Sequence, residues 1–177
     1  FRPGEKITYA MEAMSLYLRR LALPTGSEAE RNFIKYRYLD DARLTGVYSD
    51  EELLARAIKL RQDDPHRPDV ALLLATIAMK VQPLRHVYAL ACEAAEVAFA
   101  AQKLPSLSQV SMDCFWRAHH LAAVAAKQLS IKLSDTEARE KFTEQLRQHV
   151  AVGLEAGGPK FAFETLLETI AESPQTV

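Results

Sequence analysis

Apolar side chains recur along much of the chain at the spacing of an α-helix. The first stripe has intervals of four, three, four and three residues and comprises Ile7, Met11, Met14, Leu18 and Leu21. Residues at these intervals lie on one face, because an α-helix completes a turn every ~3.6 residues. We expect this helix to bury the stripe and to end at Leu23-Pro24-Thr25-Gly26, where proline and glycine favour a turn.

Serine–glutamate pairs predict the starts of three further helices. The pairs are Ser27 with Glu30, Ser49 with Glu52, and Ser134 with Glu137. In each pair the serine hydroxyl can accept a hydrogen bond from a backbone N–H of the first helical turn, and the glutamate can accept one from the serine N–H. A helix that begins after Ser27 also explains the aromatic–basic segment 32–38 better than a short strand does.

Prolines and glycines predict the remaining boundaries. Apolar helices are expected at 70–82, 84–103 and 108–129, with Asp69 as the cap of the first. A charged helix over 135–156 ends at Gly157-Gly158, and Pro159 opens a short eighth helix. The chain is therefore predicted to form an all-α, single-domain bundle of seven or eight helices over residues 1–177.

The middle of the chain differs from both ends in charge. Residues 70–129 carry eight charged side chains, whereas the other 117 residues carry 37, and a quarter of the middle block is alanine. Such a composition is typical of helices buried at the centre of a bundle. We therefore expect residues 70–129 to form a central, alanine-rich hairpin and residues 130–177 to form a charged C-terminal pair of helices.

Net charge and hydropathy argue against two classes of partner. The formal net charge is −1, and no segment carries the basic excess that neutralises nucleic-acid phosphates. The longest apolar run, residues 70–79, has about half the ~20 residues that a membrane span needs. Two cysteines 22 residues apart, without a recognisable leader sequence, are typical of a cytoplasmic protein with reduced thiols.

Two groups of titratable residues form the strongest candidate for a metal-dependent active site. Glu93 and Glu96 share one face of a predicted helix, and Asp113, Arg117 and His120 share one face of the next. If the two faces meet, their side chains could hold Mg²⁺ or Mn²⁺ and position a water for attack on a phosphate. The metal ligands of this alternative are Glu93, Glu96, Asp113 and His120.

The Glu-x-x-Glu motif at Glu93 and Glu96 resembles the first metal helix of the all-α nucleotide pyrophosphohydrolases. The resemblance covers these four positions and implies a divalent-metal-dependent phosphohydrolase. The family's second pair, Glu-x-x-Asp on the following helix, is missing, because Asp113 is the only acidic residue between 98 and 134. The competing interpretation places both glutamates in solvent and pairs Asp113 with Arg117 within one helix.

The histidine and cysteine spacings match no metal or catalytic motif. His119 and His120 are consecutive and so point about 100° apart on a helix. Cys92 and Cys114 lack the Cys-x-x-Cys spacing of a zinc site, and we expect them to fill apolar space or to face each other across the hairpin. Glycine-rich phosphate loops and the Gly-x-Ser-x-Gly motif are also absent from the sequence, so no catalytic residue is assigned.

Aromatic and basic residues alternate in the first third of the chain. Tyrosine and arginine are enriched at the hot spots of protein interfaces. The candidate partner-binding residues are Arg31, Phe33, Lys35, Tyr36, Arg37 and Tyr38. The competing interpretation assigns the aromatic side chains to the core and the charged ones to a solvated face.

These patterns favour a non-catalytic helical interaction protein without a cofactor, of the bacterial adaptor, regulator or toxin-neutralising (immunity) type. It is expected to bind a protein partner, as a monomer or a homo-oligomer, and neither nucleic acid nor a membrane. Its alanine-rich helices resemble those of small helical immunity proteins, although no motif supports the resemblance. The alternatives are the Mg²⁺- or Mn²⁺-dependent phosphohydrolase and a helical binder of an apolar small ligand, because alanine-rich helix pairs can leave an open pocket.

Overall fold

The computed structural model describes residues 3–171, with side chains described for 4–167, so both ends of the predicted domain 1–177 lie outside the described residues. Within this part of the chain the regular structure is entirely α-helical. The helices are α1 (Pro3–Ala22), α2 (Glu28–Thr45), α3 (Asp50–Asp63), α4 (Pro68–Val81), α5 (Leu84–Ala101), α6 (Ser108–Lys132), α7 (Thr136–Glu155) and α8 (Lys160–Ala171). The predicted all-α bundle is confirmed, and segment 32–38 lies inside α2. None of the described helices combines the length and hydropathy needed to cross a bilayer.

Side chains cap the N-termini of three of these helices. The predicted caps of α2 and α3, Ser27 and Ser49, are confirmed. The predicted cap of α7 is wrong by one residue, because the carboxylate of Asp135 and not the hydroxyl of Ser134 accepts the hydrogen bond from the Ala138 N–H, at 2.8 Å. Either side chain could accept this hydrogen bond, but only the carboxylate also places a negative charge at the positive end of the helix dipole.

Helices α4, α5 and α6 form the centre of the bundle. α5 and α6 are neighbours along their length, and α4 packs against both. The fully buried alanines of α5 and α6 are Ala91, Ala94, Ala98, Ala118, Ala122, Ala123, Ala125 and Ala126. Methyl side chains let two helices approach closely, so the alanine content of residues 70–129 reflects close helix packing.

The start of α4 differs from the predicted one. The helix begins at Pro68 rather than at Val70, and proline is well tolerated there because the first N–H groups of a helix have no partner within it. Asp69 therefore lies inside the first turn rather than at the cap position, although its Oδ1 accepts a hydrogen bond from the Val70 N–H at 3.0 Å. Its carboxylate also pairs with the guanidinium of Arg67, whose Nε donates to Oδ1 at 2.9 Å.

The apolar stripe of α1 is only partly buried, which differs from the expectation. Met14 is buried and Leu21 is half-buried, whereas Ile7, Met11 and Leu18 are 41%, 55% and 52% exposed. The reason is the position of α1 at the edge of the bundle: among the described helices, α2 alone has Cα atoms within 8 Å of those of α1. One neighbouring helix covers a narrow part of the surface, and one flank of α1 stays open.

A tight turn joins α7 to α8. The N–H of Gly157 donates to the Leu154 carbonyl at 3.0 Å, and the N–H of Gly158 donates to the Gly153 carbonyl at 2.9 Å. These are the two hydrogen bonds of a Schellman motif, and the φ of 85° at Gly157 explains why glycine stands there. The turn brings the ring of Phe163 directly over α7, where it is fully buried.

Candidate functional site

The six candidate partner-binding residues on α2 are distributed over different sides of the helix. Lys35 and Tyr38 face a groove that α2 forms with α1 and α3. Arg37 is exposed and lies in a second, shallower groove between α1 and α2, where it hydrogen-bonds Tyr17. These residues therefore do not form one patch with the other three.

The remaining three residues connect α2 to its neighbours. The guanidinium of Arg67 lies over Phe33 and Tyr36, 5.1 and 5.8 Å from their ring centroids. Arg31 donates hydrogen bonds to the carbonyls of Leu21 and Leu23 at the end of α1. The partner-binding role of all six stays a prediction, and Lys35 and Tyr38 are the two that face the groove formed by α1, α2 and α3.

This groove, which we call the α1–α3 groove, crosses α2 between α1 and α3 and has a volume of about 320 Å³. Four leucines line it: Leu18 is 52% exposed and Leu21 is half-buried, whereas Leu39 and Leu60 are only 5% and 3% exposed. α1 and α3 form its walls, and in the described part of the chain none of their Cα atoms lie within 8 Å of each other. The groove is thus an apolar surface of three helices that opens to solvent.

Polar side chains surround the α1–α3 groove, and most of the charged ones are basic. The charged residues are Lys35, Arg56, Lys59 and Asp63. The ammonium of Lys35 lies 3.8 Å from the carboxylate of Asp63, and the guanidinium carbon of Arg56 lies 4.1 Å from the ring centroid of Tyr48. The hydroxyls of Tyr48 and Tyr38 are 2.8 Å apart, and burial together with this hydrogen bond raises the pKa of Tyr38 to about 12. At neutral pH the rim therefore carries an excess of positive charge.

A second group of polar side chains, all half-buried, lies where α5, α6 and α7 meet. Nδ1 of His149 lies 2.9 Å from Nδ1 of His119, and Nε2 of His149 lies 2.9 Å from the hydroxyl of Tyr88. The Sγ of Cys92 is 3.8 Å from the same Nε2. When Tyr88 donates to Nε2, His149 carries its proton on Nδ1 and donates it to His119, so one tautomer satisfies both hydrogen bonds. We call these four residues the His149 cluster.

The groups of the His149 cluster are held in their neutral forms. Burial lowers the pKa of His149 to about 4, and the neighbouring His119 makes a smaller contribution in the same direction. Burial also lowers the pKa of His119. Burial raises the pKa of the Cys92 thiol. A protonated thiol beside a neutral imidazole is a poor nucleophile, so the cluster is better suited to join three helices than to react.

Lowering the pH from about 6.5 to about 4 is expected to reduce the free energy of unfolding by about 1–3 kcal/mol through His149. In this window the unfolded chain binds a proton at this imidazole, whereas the folded chain does not, because burial lowers the pKa of His149 to about 4. The contribution of His149 to the free energy of unfolding is therefore constant above the window and falls within it, because the unfolded state takes up the proton there. Chemical denaturation at a series of pH values measures the change.

The His149→Gln variant separates this contribution from that of the carboxylates. Its free energy of unfolding should decrease less than that of the wild type between the two ends of the window. The matched control, His86→Gln, replaces an exposed histidine of α5 and should keep the wild-type pH dependence. The same pH dependence in His149→Gln and in the wild type would contradict the assignment.

The four residues of the metal-site alternative do not come together. Glu93 forms an ion pair with Arg61 of α3 at 2.7 Å, Glu96 and Asp113 are exposed, and His120 packs against an aromatic ring of α8. Among residues 4–167 no group of three or more His, Cys, Asp or Glu side chains is placed to hold a metal ion. The physical reason is that α5 and α6 meet through their alanine faces, which leaves the acidic residues on other faces. The convergence that the metal-site alternative requires is not found among the described residues.

The two cysteines lie in different parts of the core. Cys92 belongs to the His149 cluster, whereas Cys114 packs with residues of α4 and α5, and burial raises its pKa to about 12. Sequence reasoning did not predict the His149 cluster. Its only local signal is the spacing of Tyr88 and Cys92, which places them on one face of α5, and that spacing does not identify His149 as their partner.

A further groove, of about 570 Å³, lies between the start of α6 and the end of α7. Met112, Phe115 and Val152 provide much of its apolar surface, and Glu155 adds a carboxylate. This volume lies within the ~300–1,000 Å³ of small-molecule pockets, but such pockets enclose most of their ligand and this groove is open. The apolar-ligand alternative stays a prediction.

The fold and these sites define an all-α bundle with a basic-rimmed apolar groove on one side and a half-buried, neutral polar cluster between α5, α6 and α7. No protein-family model matches the chain, and neither do the curated proteins or the solved structures compared with it. Any functional conclusion therefore rests on the chemistry of the residues described above.

Proposed function

We propose that the protein is a non-catalytic helical interaction protein, of the adaptor, regulator or toxin-neutralising type, which binds a protein partner in the bacterial cytoplasm. The observation that supports this proposal is the open apolar flank of α1. Ile7, Met11 and Leu18 lie along one line of this helix, and all three are exposed. Contiguous apolar surface commonly marks an interaction site, because its exposure to water is unfavourable.

The surroundings of this flank also support binding rather than catalysis. Leu18 makes the flank continuous with the α1–α3 groove, so apolar surface extends from α1 across α2 to α3. The rim of that groove presents tyrosine and arginine side chains, which are enriched at protein interfaces. The imidazoles of the His149 cluster, in contrast, point into the bundle and bond to each other. The two free thiols fit a reducing compartment.

Introducing charge on the α1 flank is expected to weaken partner binding while the fold persists. The variant Ile7→Glu/Met11→Glu leaves the buried side of α1 around Met14 unchanged, so circular dichroism and thermal unfolding should match the wild type. The partner is recovered by affinity purification from cells that naturally contain the protein, and is then purified for titration calorimetry. We expect its affinity for the double variant to be at least about tenfold lower than for the wild type.

The matched control is Ile131→Glu, which changes an isoleucine of α6 that is 62% exposed, on a helix that does not pack on α1. This control should bind the partner with wild-type affinity. Equal affinity of the α1 double variant and the wild type would contradict the proposal, as would the absence of any co-purifying protein.

A further inference from the structure

The α1–α3 groove is an opening of about 320 Å³ beside α2, into which the side chains on one face of a further helix could extend. α1 and α3 both pack on α2, and no Cα atom of one lies within 8 Å of a Cα atom of the other, so a groove remains beside α2 between them. Leu18 and Leu21 of α1 provide most of the leucine surface that is open in this space, and the nearly buried Leu39 of α2 and Leu60 of α3 also border it. A helix with its side chains is about 10–12 Å across, and amphipathic helices commonly bind in apolar grooves of this type.

The charges around the groove favour one type of helix. The only acidic group of the rim, Asp63, is already engaged by Lys35 at 3.8 Å. Arg56 is held at the rim by its contact with the ring of Tyr48, and Lys59, one turn further along α3, is exposed. Uncompensated positive charge beside an apolar floor is complementary to a helix that carries acidic residues next to its apolar stripe.

We infer that the α1–α3 groove binds an amphipathic α-helix of the partner protein, with its apolar side chains against the groove leucines and its carboxylates against Arg56 and Lys59. This inference rests on the proposed function and adds the chemistry of the partner. The apolar lining favours a protein helix over nucleic acid, because leucine side chains offer phosphate oxygens no hydrogen-bond donors and the cations lie only at the rim. A helix from a second copy of this chain is the competing occupant.

A pair of designed peptides tests the charge rule. Both have about 18 residues, or five helical turns, with leucines along one stripe; the flanking positions are glutamate in one peptide and lysine in the other. Fluorescence anisotropy with the purified full chain should show the glutamate peptide binding at least about tenfold tighter than the lysine peptide, and added salt should reduce the difference. Equal affinities, or no binding of either peptide, would overturn the inference.

Reversing the charge of the rim should reverse the preference. In the variant Arg56→Glu/Lys59→Glu, the lysine peptide should bind more tightly than the glutamate peptide, a change of order that partial unfolding cannot produce. The matched control, Lys132→Glu, changes an exposed lysine at the end of α6 and should keep the wild-type order. An unchanged order in the rim variant would overturn the inference.

Two further measurements separate the outcomes. If the natural partner binds the rim variant as tightly as the wild type but does not bind the α1 double variant, the groove inference fails while the proposed function stands. If partner binding is insensitive to the α1 double variant, the proposed function itself fails. Sedimentation equilibrium identifies the competing occupant: a dimer of this chain that the rim variant dissociates would assign the groove to a second copy and overturn the inference.

Discussion

Replacing Arg67 by alanine is expected to lower the free energy of unfolding by about 3–5 kcal/mol, a large part of the ~5–15 kcal/mol typical of a domain. The reason is the burial of Asp69, which is 7% exposed and accepts two hydrogen bonds from the guanidinium of Arg67. Without that guanidinium the carboxylate would remain in the interior with no cation beside it. Urea denaturation followed by circular dichroism measures the loss.

The size of this effect depends on burial rather than on ion pairing as such. Lys80 and Asp50 also form an ion pair, at 3.0 Å, but both side chains are exposed, so Lys80→Ala should change the free energy of unfolding by no more than about 1 kcal/mol. The double variant Arg67→Ala/Asp69→Ala removes the unpaired charge and should be more stable than the sum of the single variants implies. A loss in Arg67→Ala no larger than that in Lys80→Ala would show that the buried pair contributes little.

The starts and ends of the helices could be predicted because their signals are local. A cap such as Ser27 or Ser49 acts on N–H groups within three residues, and proline and glycine act on their own backbone. Low charge over residues 70–129 indicated a buried centre for a related reason, since few side chains there require water. Competing local signals limited the accuracy at Ser134 and Asp135, where either side chain can cap α7.

The pairing of helix faces could not be predicted, because it depends on the tertiary arrangement. The spacing of the apolar residues of α1 is the same whether one helix or several pack against it. Ile7 and Met11 are exposed because α1 lies at the edge of the bundle. His149 lies 57 residues after Cys92 and 30 after His119, and no spacing rule connects such distant positions. Sequence spacing therefore placed residues on faces without showing which faces meet.

The candidate interaction surface depends on both kinds of information. The alternation of aromatic and basic residues in segment 32–38 is visible in sequence, but successive residues of a helix point about 100° apart, so the segment is divided among several sides of α2. Lys35 and Tyr38 face the α1–α3 groove, whereas the ring of Phe33 packs against the guanidinium of Arg67. Arg56 was not a candidate in the sequence analysis, because exposed basic residues are common on helices. Such a residue indicates a binding site only when the structure places it beside an apolar groove.

The variant Phe163→Ala is expected to lower the free energy of unfolding by about 3–5 kcal/mol. The ring of Phe163 is fully buried and packs with Leu146 and Val150 of α7 and with Ala123 of α6. It is also the contact that holds α8 against α7, because it lies directly over Gly153. Truncation removes this contact and leaves a cavity among side chains that are otherwise closely packed, and urea denaturation measures the result.

Gly153 provides a test of this packing, because the effect of Gly153→Ala on the free energy of unfolding should change sign when the ring of Phe163 is removed. A Cβ at Gly153 would overlap the ring of Phe163, so Gly153→Ala should destabilise the wild type even though alanine is favoured over glycine within a helix by about 1 kcal/mol. In the Phe163→Ala background the ring is gone, and the same substitution should stabilise the protein. Gly4→Ala, where an added Cβ meets open space, should destabilise neither background. If Gly153→Ala had the same sign with and without the ring, close packing of α8 on α7 would not explain the glycine at this position.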